Sequence, residues 1–495
     1  MQSPKRWLIL AIISSALLLI VIDMTVLYTA LPTLTHDLQA TASEKLWIIN
    51  AYSLVAAGLL LGAGTLGDRL GHKRLFVAGL CVFGLASLAA AFSPSAGFLI
   101  GARAALAVGA AMMMPATLSI VRLTFTDERE RAMAIGIWAS VASGGAAFGP
   151  VVGGILLEYF WWGSVFLINV PIVLVALVLA VILIPSRPGN AERRWDLIGS
   201  LQVMAGLIGI AYAIKELGKR EPSLQAALIA FLIGALFMAI FIWRQRRIAQ
   251  PMLDFVIFRN PGFSAAVVAA LTVAAALIGM ELVFSQRLQL VLGLSPLQAA
   301  LFILPLPLAS FFAGPLVGHY LPRFGGPRVM LWALLASALG MFAYLLLHNA
   351  PSAAQIASLV VLGFGVGAAM TAASSTIMHS APADQAGMAA SLEEVSFELG
   401  GAIGVTLLGS ILSVIYTIVL VVPAELSVPA QARDSLDEAL LIAERLPPEA
   451  AAALTSLARS AFDTAFVAVL AVATVLLLLA AVFVKVDKSV HKPFV

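Results

Sequence analysis

The chain reads as an all-α membrane protein of fourteen spanning helices, arranged 6+2+6. Three observations predict this. Of 495 residues, 61% are hydrophobic and only 11% charged, with a mean hydropathy of +1.02; a soluble protein of this size carries roughly a quarter charged residues. A charge-dense turn, Gly64-Thr65-Leu66-Gly67-Asp68-Arg69-Leu70-Gly71-His72-Lys73-Arg74, sits between two long apolar stretches, where it can only join two spans at a membrane face. A degraded copy, Gly318-His319-Tyr320-Leu321-Pro322-Arg323-Phe324-Gly325-Gly326-Pro327-Arg328, follows at 318 − 64 = 254 residues, about half the chain, and marks a duplication.

A span needs about 20 mainly apolar residues. The stretches that qualify run approximately 8–30, 44–63, 74–92, 98–122, 132–157, 162–184, 198–217, 224–244, 263–284, 298–318, 326–347, 354–376, 392–420 and 462–484. The first follows Lys5 and Arg6, is too long for a signal segment and leads into another span, so it reads as an uncleaved helix. Charged breaks such as Arg244-Gln245-Arg246-Arg247 separate the stretches. The 254-residue displacement lays span 1 on 9, 2 on 10, 3 on 11 and 5 on 13. Val108-Gly109-Ala110-Ala111-Met112 of span 4 returns as Val366-Gly367-Ala368-Ala369-Met370 of span 12, displaced by 258. Spans 7 and 8 are therefore an insertion. The division is residues 1–190, a six-helix bundle; 191–250, the inserted pair; and 251–495, the second bundle. Parallel repeats of this kind place a substrate path at the bundle interface. With the N-terminus inside, the inner segments hold about 20 Lys/Arg and the outer about 8, which puts both termini in the cytoplasm.

The outer segment at about 421–461 is longer than a connector needs. Ser435-Leu436-Asp437-Glu438 has the spacing of a helix cap, and Pro447-Pro448 divides two short helical patterns, so a helical hairpin is expected. Its acids Glu425, Asp434, Asp437, Glu438, Glu444 and Glu449 outnumber Arg433, Arg445 and Arg459. That excess either concentrates cations at an exit or simply solvates a cap.

Several function classes fall away. The lone Cys81, in an apolar run and expected to be a small core residue, excludes an intramolecular disulfide. There is no zinc-like spacing and no phosphate-cradling loop, so neither a metal nor ATP-driven transport is expected. A net charge of +3 makes no case for nucleic acid. No nucleophile–base cluster suggests an enzyme.

The turn from Gly64 to Arg74 resembles the helix 2–3 loop signature of the major facilitator superfamily, and the 6+2+6 plan resembles that family's fourteen-helix drug/proton antiporters. The resemblance covers nearly the whole chain and implies a major facilitator fold. It assigns gating to Gly64, Asp68, Arg69, Gly71, Lys73 and Arg74, an element that stabilises one access state and releases it on rearrangement. The basic residues alone would also serve topology. The second copy has Pro322 where Asp68 stands, so charge-based gating is expected to be asymmetric. In span 5, Gly136, Gly145, Gly149-Pro150 and Gly153-Gly154 resemble the signature of family exporters. Their small residues permit close helix packing and the proline bends the helix.

Charged residues within spans carry the chemistry, because each costs roughly 2.5–3.5 kcal/mol on insertion scales and so needs a partner or a wet cavity. Asp23, in Ile22-Asp23-Met24-Thr25-Val26, resembles the helix 1 element of the fourteen-helix subgroup and is either a proton or cation carrier or a structural hydrogen-bonder. Arg103 cannot discharge its proton, so it either tunes a nearby carboxylate or forms a structural ion pair. In span 13, Glu394 and Glu398 lie four apart on one helical face, with Glu393 rotated about 100° away. This acidic pattern resembles the subset exporting quaternary ammonium compounds and viologens. Glu393 and Glu394 also read as a cytoplasmic rim. Glu281 stands close to the repeat position of Asp23 (23 + 254 = 277), as a second cation contact or an outer boundary residue. Asn50, Trp47 and Tyr52 of span 2 and Met113, within Met112-Met113-Met114, offer adaptable aromatic and thioether surface or ordinary packing.

These readings converge on a proton-driven multidrug efflux antiporter of a bacterial inner membrane. Its coupling residues are Asp23, Arg103, Glu394 and Glu398, its cargo lipophilic organic cations. It needs no cofactor beyond the proton gradient and works as a monomer among membrane lipids. The alternatives are an exporter of a specific metabolite, such as an amino acid or siderophore, or a membrane receptor or scaffold.

Overall fold

The computed structural model describes residues 3–125, 128–186, 189, 195–217, 222–248, 251, 253, 255–380, 386–423 and 428–486. The side chains of Asp68 and Pro322, and all of Glu425, lie outside the described residues. Helix is the only extended secondary structure among them. The first half holds α1 (Ser3–Asp37), α2 (Ala42–Leu70), α3 (His72–Ala91), α4 (Ala96–Thr124), α5 (Glu128–Tyr159), the short α6 (Ser164–Leu167) and α7 (Asn169–Leu183). Then come α8 (Leu197–Leu217) and α9 (Leu224–Gln245). The second half holds α10 (Pro261–Gln286), α11 (Pro296–Ile303), α12 (Pro305–Phe324), α13 (Gly326–Leu347), α14 (Ser352–Ser380), α15 (Ala386–Val419), the short α16 (Leu436–Ala443) and α17 (Pro448–Val486).

A helical stretch lies over each of the predicted spans. Twelve are, among the described residues, long and apolar enough to cross a membrane. In the two outside that count, α2 and α5, side chains within the predicted span lie outside those described. Two predicted spans are broken, one between α6 and α7 at Ile168 and one between α11 and α12 at Leu304. At the second break Pro305 and Pro307 supply no N–H to continue the ladder.

The 254-residue repeat recurs in the turns. Thr41 and Glu44 form a capping box at the start of α2; Ser295 and Gln298, 254 residues on, form one at the start of α11. Gly71, at φ 92°, donates to Gly67 O at 2.9 Å; Gly325, at φ 79°, donates to Leu321 O at 2.9 Å. The only other positive-φ residues among those described, Gln39 (φ 51°) and Gly293 (φ 68°), are also 254 apart. A positive φ disfavours any side chain, so Gly71 and Gly325 turn the chain where other residues would be strained.

Within the first half α1 packs on α5, α2 on α4, and α3 on α4 and α7; within the second α10 packs on α15, α14 on α12 and α13, and α17 on α13. Gly145, Gly149 and Gly153 bring α5 against Val21, Thr25 and Val26 of α1, where an added Cβ would collide. Gly400 and Gly404 do the same for α15 against Leu271 and Ala275 of α10. The halves meet along a seam of α2 against α15 and α5 against α11 and α12, and Gly154 bridges it at Leu297. Helix α8 lies along this seam, touching both α2 and α15, while α9 packs on α8 and exposes Phe231, Leu232, Leu236 and Trp243. Cys81 is exposed on α3 rather than buried in a core. An apolar run in a membrane helix has a lipid-facing side, so hydrophobic neighbours do not imply burial.

One end of the seam, the face carrying α16, is stitched shut. Lys45 of α2 pairs with Asp437 of α16 and donates to Gln286 Oε1 of α10 at 3.1 Å. His36 Nε2 lies 3.2 Å from Glu444 Oε1. Pro32 lacks the N–H that would bond Tyr28 O within α1, and Ser285 Oγ donates to that carbonyl from α10 at 2.6 Å. Gln289 Nε2 reaches Thr29 O at 3.1 Å. The expected hairpin has Ser435 as N-cap of α16, accepting from Glu438 N. Its second arm is not separate: α17 starts at Pro448 and runs on as the last apolar helix.

Candidate functional site

Asp23 is wholly buried at the meeting of five helices. Arg103 Nη1 of α4 donates to its Oδ2 at 2.5 Å, and Asn169 Nδ2 of α7 donates to its Oδ1 at 3.1 Å. Asn169 also donates to Ser87 Oγ of α3 at 3.3 Å. Arg103 Nε donates to Ile48 O of α2 at 3.3 Å, and its guanidinium lies 4.7 Å from the Tyr52 ring centroid. The two charged residues singled out in the first half are thus one ion pair. Burial excludes water from it, and the extra amide and carbonyl partners satisfy what the pair leaves over.

Among the described residues, the acids of α15 have no such cation. Glu398 is 5% exposed, hydrogen-bonds the Ser53 hydroxyl of α2 across the seam, and leaves Oε2 without a partner among the described residues. Glu394 stands one turn before it, flanked by Glu393 and Glu398. Glu393 engages Ser374 of α14. Arg103 acts on Glu398 from a distance, through charge rather than contact. Glu281, half-buried on α10, and Glu398 both lie within electrostatic reach of the buried Tyr28. Tyr52 is similarly placed between Glu398 and Asp23, its hydroxyl unpartnered among the described residues. Asn50 Nδ2 bonds Thr406 Oγ1 of α15, while Asn50 Oδ1 has no partner there. Acids from the second half and aromatic and amide groups from the first therefore share the seam.

Other predicted residues are placed elsewhere. Met113 is buried against Gly79 of α3, inside the first bundle. The face of Trp47 is taken by Lys215 of α8. In the turn at the opposite face from α16, Gly64 approaches Ser391 of α15, Lys73 Nζ donates to Val181 O at 2.8 Å, and Arg69 and Arg74 are exposed. Pro150 is buried within α5. Sequence reasoning missed Asn169, Ser53, Tyr28 and Lys45. Asn169 was detectable as a single amide inside the apolar run Leu167-Ile168-Asn169-Val170; the others look ordinary in one dimension.

The Major Facilitator Superfamily pattern matches residues 13–405. The chain is 42% identical over 481 residues to the methyl viologen resistance protein SmvA of Salmonella typhimurium (strain LT2), covering 97% of each chain. It is 42% identical over 490 residues to the multidrug efflux pump LfrA of Mycolicibacterium smegmatis, covering 98% of this chain and 97% of that one. A solved bacterial homolog of the human lysosomal transporter Spinster, inward-facing and unoccupied, superimposes with a TM-score of 0.67 at 18% identity, over 99% of this chain and 98% of its own. That last likeness is one of fold.

Proposed function

The chain belongs to the major facilitator superfamily, a multi-pass membrane transporter whose relatives are drug efflux pumps, and from that premise we propose that it is a proton-coupled antiporter expelling lipophilic organic cations across a bacterial inner membrane. Quaternary ammonium antiseptics, biguanides, viologens and cationic dyes are the cargo this reading predicts. It uses fourteen spans as 6+2+6, with both termini in the cytoplasm and α16 outside.

The observation that carries the reading is the pair Glu394 and Glu398, the first half-buried and the second buried at the seam, with no ion-pair partner among the described residues. A carboxylate withdrawn from water and left unpaired is too costly to persist, so each such group holds either a proton or a positive ligand. That exclusive choice is antiport. From the cytoplasm, a cation enters between the halves and takes the place of protons on Glu394 and Glu398, with Glu281 as a further contact and Tyr28 and Tyr52 as aromatic walls. The stitched contacts of the α16 face then part, the opposite face closes, and outside protons displace the cargo. Asp23, already neutralised by Arg103, orders the first half, and Arg103 adds to the field felt by Glu398.

Resistance conferred on a pump-deficient bacterium tests this. Expression is expected to protect against cationic biocides far better than against neutral ones of similar lipophilicity, and a proton uncoupler is expected to abolish the protection. Protection that survives the uncoupler removes proton coupling; protection confined to neutral compounds removes the cation.

A further inference from the structure

Lys215 of α8 is 4% exposed, and its Nζ has no hydrogen-bond partner among the described residues. Glu216, next in sequence, accepts from Ser223 N at 3.4 Å. What the Lys215 ammonium does touch is the indole of Trp47 on α2: Nζ lies 3.9 Å from the ring centroid, with Tyr212 completing the aromatic wall 6.5 Å from the same ring. A charge so withdrawn from water is expensive, and packing alone would be served by leucine or methionine. An indole face is the strongest aromatic site for a cation, and withdrawal from water strengthens it.

The surroundings suit a larger cation. Ile214 and Leu217, close to Lys215 in sequence, line a groove of about 320 Å³ between α8 and α15, with Leu407, Ser410 and Ile411 opposite. Its volume is in the range of small-molecule sites. Among the described residues Ser410 Oγ has no partner, and neither has Asn50 Oδ1, one turn along α2 from Trp47. Asn50 bonds Thr406, one turn along α15 from Ser410, and Ser53 then bonds Glu398. A file of polar groups thus leads from the groove to the central acid.

We infer that Trp47 is a peripheral binding position for planar aromatic cations at the α2–α8–α15 seam, and that Lys215 is its resident competitor. Cargo is admitted there by displacing the Lys215 ammonium from the indole while its apolar body lies in the groove. Lys215 thereby sets a threshold that favours flat, delocalised cations over compact, strongly hydrated ones. The inference deepens the cation-export reading and rests on it.

Equilibrium binding to the purified full-length protein in lipid nanodiscs tests it, with ethidium as the cationic probe and Nile red as a neutral one. Lys215→Met is expected to tighten ethidium binding about tenfold, the scale of a desolvated cation–aromatic contact, and to leave Nile red unchanged. Lys215→Arg, which keeps a cation on the ring, is expected to bind like the unaltered protein. In a Trp47→Leu background Lys215→Met is expected to add nothing. Lys215→Leu repeats the measurement if methionine disturbs folding. Unchanged ethidium affinity in both apolar variants, an equal gain for Nile red, or a gain that persists without Trp47 overturns the competitor role. In those cases ethidium still binds the unaltered protein, so the export reading stands. Failure of the unaltered protein and every variant to bind ethidium overturns both.

Discussion

Glu398 and Asp23 are both carboxyls closed off from water, and their partners separate their fates. Asp23 is saturated by Arg103 and Asn169; Glu398 keeps one oxygen unclaimed. Replacing Arg103 with methionine strands Asp23 as an uncompensated buried charge, an expected cost of about 3–5 kcal/mol. A lower unfolding temperature in detergent is the readout, and adding Asp23→Asn to the same chain is expected to recover most of the loss. Glu398→Gln is expected to fold normally but to cut dication export at least about tenfold while sparing monocations, because two positive charges need both α15 acids. Everted vesicles carrying methyl viologen or ethidium measure this; equal loss for the two cations removes Glu398 from the binding step. The sequence made these acids visible because a charge inside an apolar stretch demands explanation. It did not show that Asp23 meets Arg103, since periodicity fixes the face of a helix and not its neighbour 80 residues away.

Helix ends are where local chemistry predicted most reliably. The Gly71 and Gly325 turns, the two halves of the duplication and the Ser435 cap are all set by residues within a few positions of one another. The second arm of the outer hairpin was misjudged because Pro448 is a tolerated first residue of a helix as readily as a breaker. The hairpin also titrates. Burial, reinforced by the nearby Asp434 and Asp437, pushes the Glu438 carboxyl up from 4.5 to about 7, against the pull of Lys45 and a bond from the Ala42 N–H. A carboxyl with a raised value binds its proton more tightly when docked. Docking of α16 is therefore fullest below about pH 4.5 and weakens as pH rises through about 7. Hydrogen exchange over residues 436–443, corrected for intrinsic rates, is expected to show more protection at pH 5 than at pH 8, and Glu438→Gln to flatten the difference. Within the bundle, Gly149→Leu is expected to drive α5 off α1 and abolish export, because a side chain there meets Thr25 directly.

For the molecule as a whole, charge sets the terms of transport. Each elementary charge crossing 100 mV exchanges roughly 2.3 kcal/mol, so a dication expelled against that potential costs about 4.6 kcal/mol unless two protons return. On the antiport proposal, Glu394 and Glu398 together carry that exchange. Methyl viologen export by vesicles is then expected to follow the pH gradient and to be indifferent to a clamped potential; strong dependence on potential would mean a proton count other than two. Helix positions were legible in the hydropathy, since they follow from the order of residues alone. The seam was not. Lys45 reached Gln286 and Asp437, and Lys215 reached Trp47, through packing of distant helices.

Pro32 gives this architecture a property that no single contact explains. Because α1 has no donor of its own for the Tyr28 carbonyl, the bond from Ser285 fastens the two halves without robbing a helix. Unfastening hands the carbonyl to water for about 1 kcal/mol net. The clasp is thus cheap to undo and ready to re-form, as a reversible cycle requires.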